Sequence, residues 1–289
     1  MRILLVTILA LWQISFAAAA DTPRVLTDIA PVQSLVAMVM GNVGAPDVLL
    51  DGNTDPHHIQ LRPSQVRAIA RADLVFWIGE PLTPWLSDPL QSIGKSGASI
   101  ALLQVPGTDL RYFDEAQVDP HAWLDPENAN LWLDAIASIL ARADPAHGNT
   151  YKANASLGKI AIGKLTKETR QALAGVQGKN LITAHDSLGY FADRFDLTIV
   201  ATISDGEANP PGPAHITALR KIIADNDVAC VLSEYGQPAD LIRTTTEGFV
   251  VQSAAVDSTG ALLSTGAELY PEMIRAMAKT IAGCIDGKG

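Results

Sequence analysis

After its first twenty residues the chain has no apolar run approaching the ~18 residues that a membrane-spanning helix requires, so the remainder reads as soluble. Basic charge is scarce: 21 Lys and Arg stand against 31 Asp and Glu, a formal net charge of −10. Loss of the first twenty residues would remove Arg2 and no acid, making the balance one unit more negative. Such a surface argues against nucleic acid and against polybasic contact with a membrane. It makes cations the more natural partners, although acidity also serves simply to keep a protein in solution. The sequence has neither HExxH nor CxxC, so no compact metal motif announces itself. Internal repeats and low-complexity tracts are absent, and there are only two cysteines.

What is present begins with a secretory pattern over residues 1–20: Arg2, the apolar run 3–11, and Ala17 to Ala20 before Asp21. No cysteine lies in that segment, so no lipid-attachment site is expected, and the mature chain reads as a free periplasmic protein. In an oxidising compartment Cys230 and Cys284 read first as a disulfide joining a strand to the C-terminal helix; two buried free thiols are the alternative.

Strand-like and helical patterns alternate through the rest. Short apolar, β-branched runs at 24–27, 47–50, 73–78 and 99–103 are separated by helical stretches at 32–40, 64–71 and 84–93, and a helix over 126–143 follows. Pro145 breaks the pattern. A longer helix over 146–177 places Leu157, Ile160, Leu165 and Leu173 on one side, and it reads as a rigid spar. The alternation resumes with strands at 181–183, 197–202, 228–232 and 249–256 and helices at 187–195, 213–224, 238–247 and 268–285. The pattern predicts an α/β protein of two lobes, 21–145 and 178–289, each a mainly parallel sheet flanked by helices. In such sheets ligands bind beyond the carboxyl ends of the strands. The loop-like segment 204–212 is expected to cover that cleft.

Three histidines sit where one element gives way to the next. Asp55-Pro56-His57-His58 precedes the helix opened by Pro63, Asp119-Pro120-His121 precedes Trp123 and a helical run, and Thr183-Ala184-His185-Asp186 follows an apolar strand. Three imidazoles with one carboxylate or water form a four-coordinate site that suits zinc better than calcium or magnesium, which take oxygen. Spacing does not separate His57 from its neighbour His58. His147, in a helix break, and His215, in the first turn of a helix, read as ordinary surface residues.

From about Arg24 to Ile285 the chain resembles the zinc-specific solute-binding proteins of ABC importers, the cluster A-I family of ZnuA type. Pro56-His57 with Leu61-Arg62-Pro63-Ser64 resembles that family's first metal loop, and the 73–79 segment resembles the strand after it. His121-Ala122-Trp123-Leu124-Asp125-Pro126-Glu127 is similar to the second loop, and His185-Asp186-Ser187-Leu188-Gly189-Tyr190-Phe191 to the third. Cys230 with Cys284 resembles the disulfide pair of zinc members.

The resemblance implies that His57, His121 and His185 are ligands to Zn2+, with Asp257 as fourth, and favours His57 over His58 because it follows the proline. It also implies two lobes joined by one long helix, and a monomeric periplasmic protein that delivers zinc to a membrane permease without any chemical step. Two departures stand out. No histidine-rich loop lies between Ser99 and His121, and Ser258-Thr259 follow Asp257 where relatives carry Pro-Leu. His185 stands where manganese-type relatives usually place glutamate, which turns the choice toward zinc. Glu234 reads as a partner of a ligand or a structural hydrogen-bonding residue, and Asp186 as a residue that orients an imidazole or caps a helix. The competing readings are a zinc hydrolase with water in the fourth position, and a manganese-binding protein, metallochaperone or adhesin on the same fold.

Overall fold

The computed structural model describes residues 22–50, 52, 54–113, 115–204, 211–236 and 240–287. The expected secretory segment lies outside the described residues, as does most of the 204–212 loop. The first sheet contains β1 (Val25–Thr27), β2 (Asp47–Val48), β3 (Leu74–Trp77) and β4 (Ser99–Ala101). Between them run α1 (Ala30–Met40), α2 (Pro63–Arg71) and α3 (Pro84–Ser92). All pairings are parallel, in the order β2-β1-β3-β4. Val75, Phe76 and Trp77 are buried, as a parallel strand covered on both faces demands. A proline stands in the first two positions of each of these three helices, where a missing N–H costs nothing. β2 is shorter than the sequence suggests, yet Leu49 and Leu50 still donate to the carbonyls of Thr27 and Asp28 (2.8 and 3.0 Å), which steers the following loop over the end of the sheet.

The second sheet repeats this plan with β5 (Asn180–Thr183), β6 (Thr198–Thr202), β7 (Val228–Glu234) and β8 (Gln252–Val256), again all parallel, in the order β6-β5-β7-β8. Its helices are α6 (Gly189–Phe195), α7 (Pro213–Asp225), α8 (Asp240–Thr246) and α9 (Leu269–Ile285). Between the sheets lie α4 (Pro126–Ala143), capped by the Asp125 carboxylate on the Glu127 N–H, and the 25-residue α5 (Gly148–Ala172). Each strand order reverses between its two central strands, which opens a crevice at the carboxyl ends of β1 and β3 and of β5 and β7.

The long helix departs from its expected role in one respect. Leu157 and Ile160 are exposed, and the buried stripe is Tyr151, Ala155, Gly158, Ile162, Leu165 and Thr169. Burial follows the three-four spacing, and size is secondary. At Gly158 an added Cβ would lie 2.8 Å from Leu133 Cδ1, so a small residue there lets α4 and α5 approach closely. About 38 Å long at 1.5 Å per residue, α5 packs on α1 and α4 of the first lobe and on α9 of the second. It is therefore part of the wall of both lobes. One apolar cluster accordingly runs from Val25 and Phe76 through Trp132 and Tyr151 to Tyr270 and Ile281, and a smaller one lies under α7 and α8.

Two ties hold strand ends in place. Cys230 in β7 is bonded to Cys284 in α9, with Cα atoms 6.1 Å apart and both residues buried, so the disulfide expectation holds. At the reversal point of the first sheet Asp28 is fully buried, and its two oxygens accept the N–H groups of Ile29 and Ile78, each at 2.8 Å. Burial pushes its pKa up to about 7, against the pull of those hydrogen bonds. Asp28→Ala leaves both amides unpaired in the interior, and we expect a loss of about 3 kcal/mol in chemical denaturation. A loss below about 1 kcal/mol would show that these bonds do not hold β1 to β3.

Candidate metal centre

Each of the three loops delivers its imidazole by a local device. In the loop after β2 the Asp55 carboxylate accepts the His57 N–H (2.9 Å), and the Pro56 carbonyl accepts the Trp85 indole N–H from α3 (2.8 Å). The second Asp-Pro-His tripeptide repeats the turn: Asp119 Oδ1 accepts the His121 N–H at 3.0 Å. Here the same oxygen also meets His121 Nδ1 at 2.7 Å, so the ring is oriented by a buried carboxylate and presents Nε2 outward. His185 follows β5, and its Nδ1 lies 3.5 Å from Glu234 Oε2 at the end of β7, across the reversal point of the second sheet. Ser187 Oγ donates to the other oxygen of Glu234 at 2.5 Å. His185 Nε2 is buried and has no hydrogen-bond partner among the described residues.

These three histidines meet: each can offer a ring nitrogen such that the three nitrogens lie within 4.8 Å of one another. The ring centres are 5.6 Å (57–121), 5.7 Å (57–185) and 4.9 Å (121–185) apart. A buried, unpartnered nitrogen on a ring packed beside two further imidazoles fits a metal ion that takes nitrogen donors. The cavity in front, about 290 Å³, is also lined by Trp123, Glu234, Tyr235 and Asp257.

Among the described residues no carboxylate joins the triad. Asp257 lines the cavity, but its Oδ1 accepts the N–H of Ala261 (2.8 Å) and of Thr259 (3.3 Å), and its Oδ2 accepts that of Leu262 (2.9 Å). His58 points away, its side chain 71 % exposed and its Nδ1 3.7 Å from Asp55. Glu234 partners a cluster histidine, as expected. Asp186 neither caps α6, whose N-cap is Leu188, nor bonds His185; it lies 3.6 Å from Arg111. His147 and His215 are more engaged than surface residues: His147 Nδ1 meets Asp144 at 2.7 Å and His215 Nε2 meets the Thr202 carbonyl at 3.1 Å.

The charges around the triad favour a cation. Burial, and then the neighbouring His121 and His185, push the pKa of His57 down to about 4, so it stays an unprotonated donor far below neutrality. Burial also works against protonation of His185, but the hydrogen bond and charge of Glu234, with Asp186 and Asp119 behind, outweigh it and hold its pKa above the ordinary value. Burial works to raise the carboxyl of Glu234, but its hydrogen bond and charge interaction with His185, and the hydrogen bond from Ser187, bring it instead down to about 2. No role for Asp119 or Arg111 was read from the sequence. The repeated Asp-Pro-His held the signal for Asp119, whereas nothing local marks Arg111.

The lobes are stitched together around the cavity. Trp123 Nε1 donates to the Ser258 carbonyl (2.9 Å), Tyr270 Oη donates to the Trp123 carbonyl (2.9 Å), and Arg194 grips both oxygens of Asp125 (2.7 and 2.6 Å). Fold and site together define a two-lobed α/β binding protein whose cavity, between the lobes, presents nitrogen donors to a metal ion. The family model for the periplasmic component A of the zinc-uptake complex matches residues 25–284, and the chain belongs to that family. It is 36 % identical to the high-affinity zinc uptake system protein ZnuA of Paracoccus denitrificans (strain Pd 1222), over 97 % of each chain. In fold it is similar to a crystal structure of ZnuA (TM-score 0.81, 22 % identity, 92 % of this chain and 100 % of that one). It is likewise similar to a zinc-bound ZnuA lacking residues 138–173 of its own numbering (TM-score 0.78, 23 % identity, 91 % and 98 %).

Proposed function

We propose that this protein captures Zn2+ in the periplasm and hands it to the membrane permease of an ABC importer, with His57, His121 and His185 as ligands. The observation that carries the reading is the convergence of three imidazoles on one point, one of them with a buried nitrogen that no other described residue satisfies. All three come from one chain, which supports a monomer holding one ion. Residues 21–145 and 178–289 act as the two lobes and 146–177, which contains α5, as the connection between them. His57 and His121 belong to the first lobe and His185 to the second, so separating the lobes would dismantle the site and release the ion. No bond of a substrate need be made or broken. Glu234, the carboxylate nearest to serving as a hydrolytic base, is already engaged by Ser187 and His185.

The fourth position falls to Asp257 on this reading. Its Oδ2 accepts a single N–H and keeps a lone pair, but the carboxylate must shift toward the triad at the expense of its own loop. Asp257→Ala is therefore expected to weaken zinc binding by only about tenfold, less than loss of any of the three histidines. Elemental analysis of the purified protein, with competition titration of the single-alanine variants at 57, 121, 185 and 257, tests the whole set. The reading fails if the wild-type protein takes up no zinc, or if all three histidine variants bind it as the wild type does.

Acid should release the metal in a predictable way. As pH falls His185 takes a proton before His57, because one pKa is raised and the other lowered. Zinc affinity should drop by about tenfold per pH unit for each proton that displaces the ion, beginning above the ordinary histidine pKa. Glu234→Gln removes the charge that supports protonated His185, so the onset should move to lower pH. An onset unchanged in that variant would contradict this assignment.

A further inference from the structure

The segment leading into His121 is gripped by the opposite lobe at Arg111. The Arg111 N–H donates to Tyr190 Oη (2.8 Å), which in turn donates to the Asp119 carbonyl (3.0 Å). The guanidinium sits among three carboxylates. Its Nη1 donates to Asp119 Oδ2 at 3.1 Å and lies 3.6 Å from Asp186 Oδ1, and its Nε lies 3.3 Å from Asp193 Oδ2. Asp119 belongs to the first lobe and has no exposed surface, whereas Asp186 and Asp193 belong to the second. The guanidinium also lies over the start of α6 so closely that a Cβ on Gly189 would be 2.3 Å from Arg111 Cζ. This explains why the first turn of α6 has no side chain at that position.

We propose that Arg111 is a positioning residue for metal binding, one that couples the docking of the second lobe to the orientation of His121; the proposal rests on the zinc-capture reading. Asp119 Oδ1 holds both the amide and the ring of His121, and its Oδ2 depends on Arg111 for a side-chain partner. Without the guanidinium, the buried carboxylate would lose its counter-charge and be free to turn. Its hold on the Nδ1–H of His121, which leaves Nε2 as the free donor, would weaken. The carboxylates that keep Arg111 in place travel with His185. A movement that withdraws His185 would therefore also strip Arg111 of two partners and loosen His121, so that both sides of the site yield together.

Zinc competition titration of the full mature chain, as wild type, R111Q, R111K, G189A and R111Q/G189A, tests the coupling. It is read alongside the His121 Nδ1–H signal in ring-labelled NMR of the zinc-loaded proteins. G189A displaces the guanidinium without removing its charge. R111Q and G189A are each expected to weaken zinc by about 10- to 100-fold with loss or broadening of the His121 signal, while R111K recovers part of both. The double variant should bind no more weakly than R111Q alone, because both changes disable one device. The coupling is overturned if R111Q stays within about threefold of wild type with the His121 signal intact, or if the double variant shows the product of the two single losses. Should R111Q not fold, G189A and R111K decide by the same thresholds. A wild-type protein that binds no zinc refutes the capture reading itself, whereas normal wild-type binding with an unaffected R111Q refutes only the coupling.

Discussion

Alanine in place of His121 is expected to lower zinc affinity by more than about a hundredfold, beyond the 10- to 100-fold that losing a ligand's hydrogen-bond partner costs. Of the three imidazoles His121 has the firmest support: the ring is buried, Asp119 meets its Nδ1 at 2.7 Å, and Phe113 and Trp123 flank it at ring-centre distances of 6.4 and 5.3 Å. Little of its binding strength goes into ordering the side chain, so its removal forfeits nearly the whole contribution of a ligand. Asp119→Asn should fall between His121→Ala and the wild type, because the amide can still accept a hydrogen bond but cannot balance positive charge. Competition against a chromophoric chelator at fixed pH measures all three. An affinity for His121→Ala within about threefold of wild type would remove this residue from the ligand set.

The second large effect concerns stability. Replacing both Cys230 and Cys284 by alanine opens a loop with a sequence separation of 54. The chain-entropy account assigns about 4 kcal/mol to such a closure, an amount that would shift the melting temperature of a domain this size by about 10 °C. The bond joins the central strand of the second sheet to a helix that packs on α1 and α5 as well. Its loss should therefore loosen the attachment of β7, whose last residue is Glu234 beside His185. Thermal unfolding of the double variant, with and without zinc, checks both points: a clear drop in the metal-free protein, partly recovered by the ion through mass action. A metal-free melting temperature within about 2 °C of wild type would show that packing alone holds α9 to the sheet.

Much of the plan was written in local patterns. Short apolar, β-branched runs marked the strands, prolines marked several helix starts, and His57, His121 and His185 stood on loops where one element gives way to the next. Where reading failed, the competing influence was packing. Leu157 and Ile160 drew attention as large apolar residues, yet α5 buries Ala155 and Gly158, because closeness to α4 requires small side chains at the contact. Asp186 looked like a cap for α6, but the guanidinium of Arg111, brought from 75 positions earlier in the chain, lies beside it.

The order of residues alone determined an acidic two-lobed α/β chain with imidazoles at the ends of its strands and one cysteine pair to cross-link. These follow from periodicity, composition and turn chemistry, each of which acts over a few neighbours. Tertiary structure decided which of two adjacent histidines turns inward and which carboxylates stand behind the rings. It also decided that Asp257 spends its oxygens on its own loop, and that Arg111 ties one lobe to the other. Which histidine turns inward and where Arg111 docks are matters of distance between groups 60 to 130 positions apart, and only the packing of the two sheets against their shared helices sets such distances.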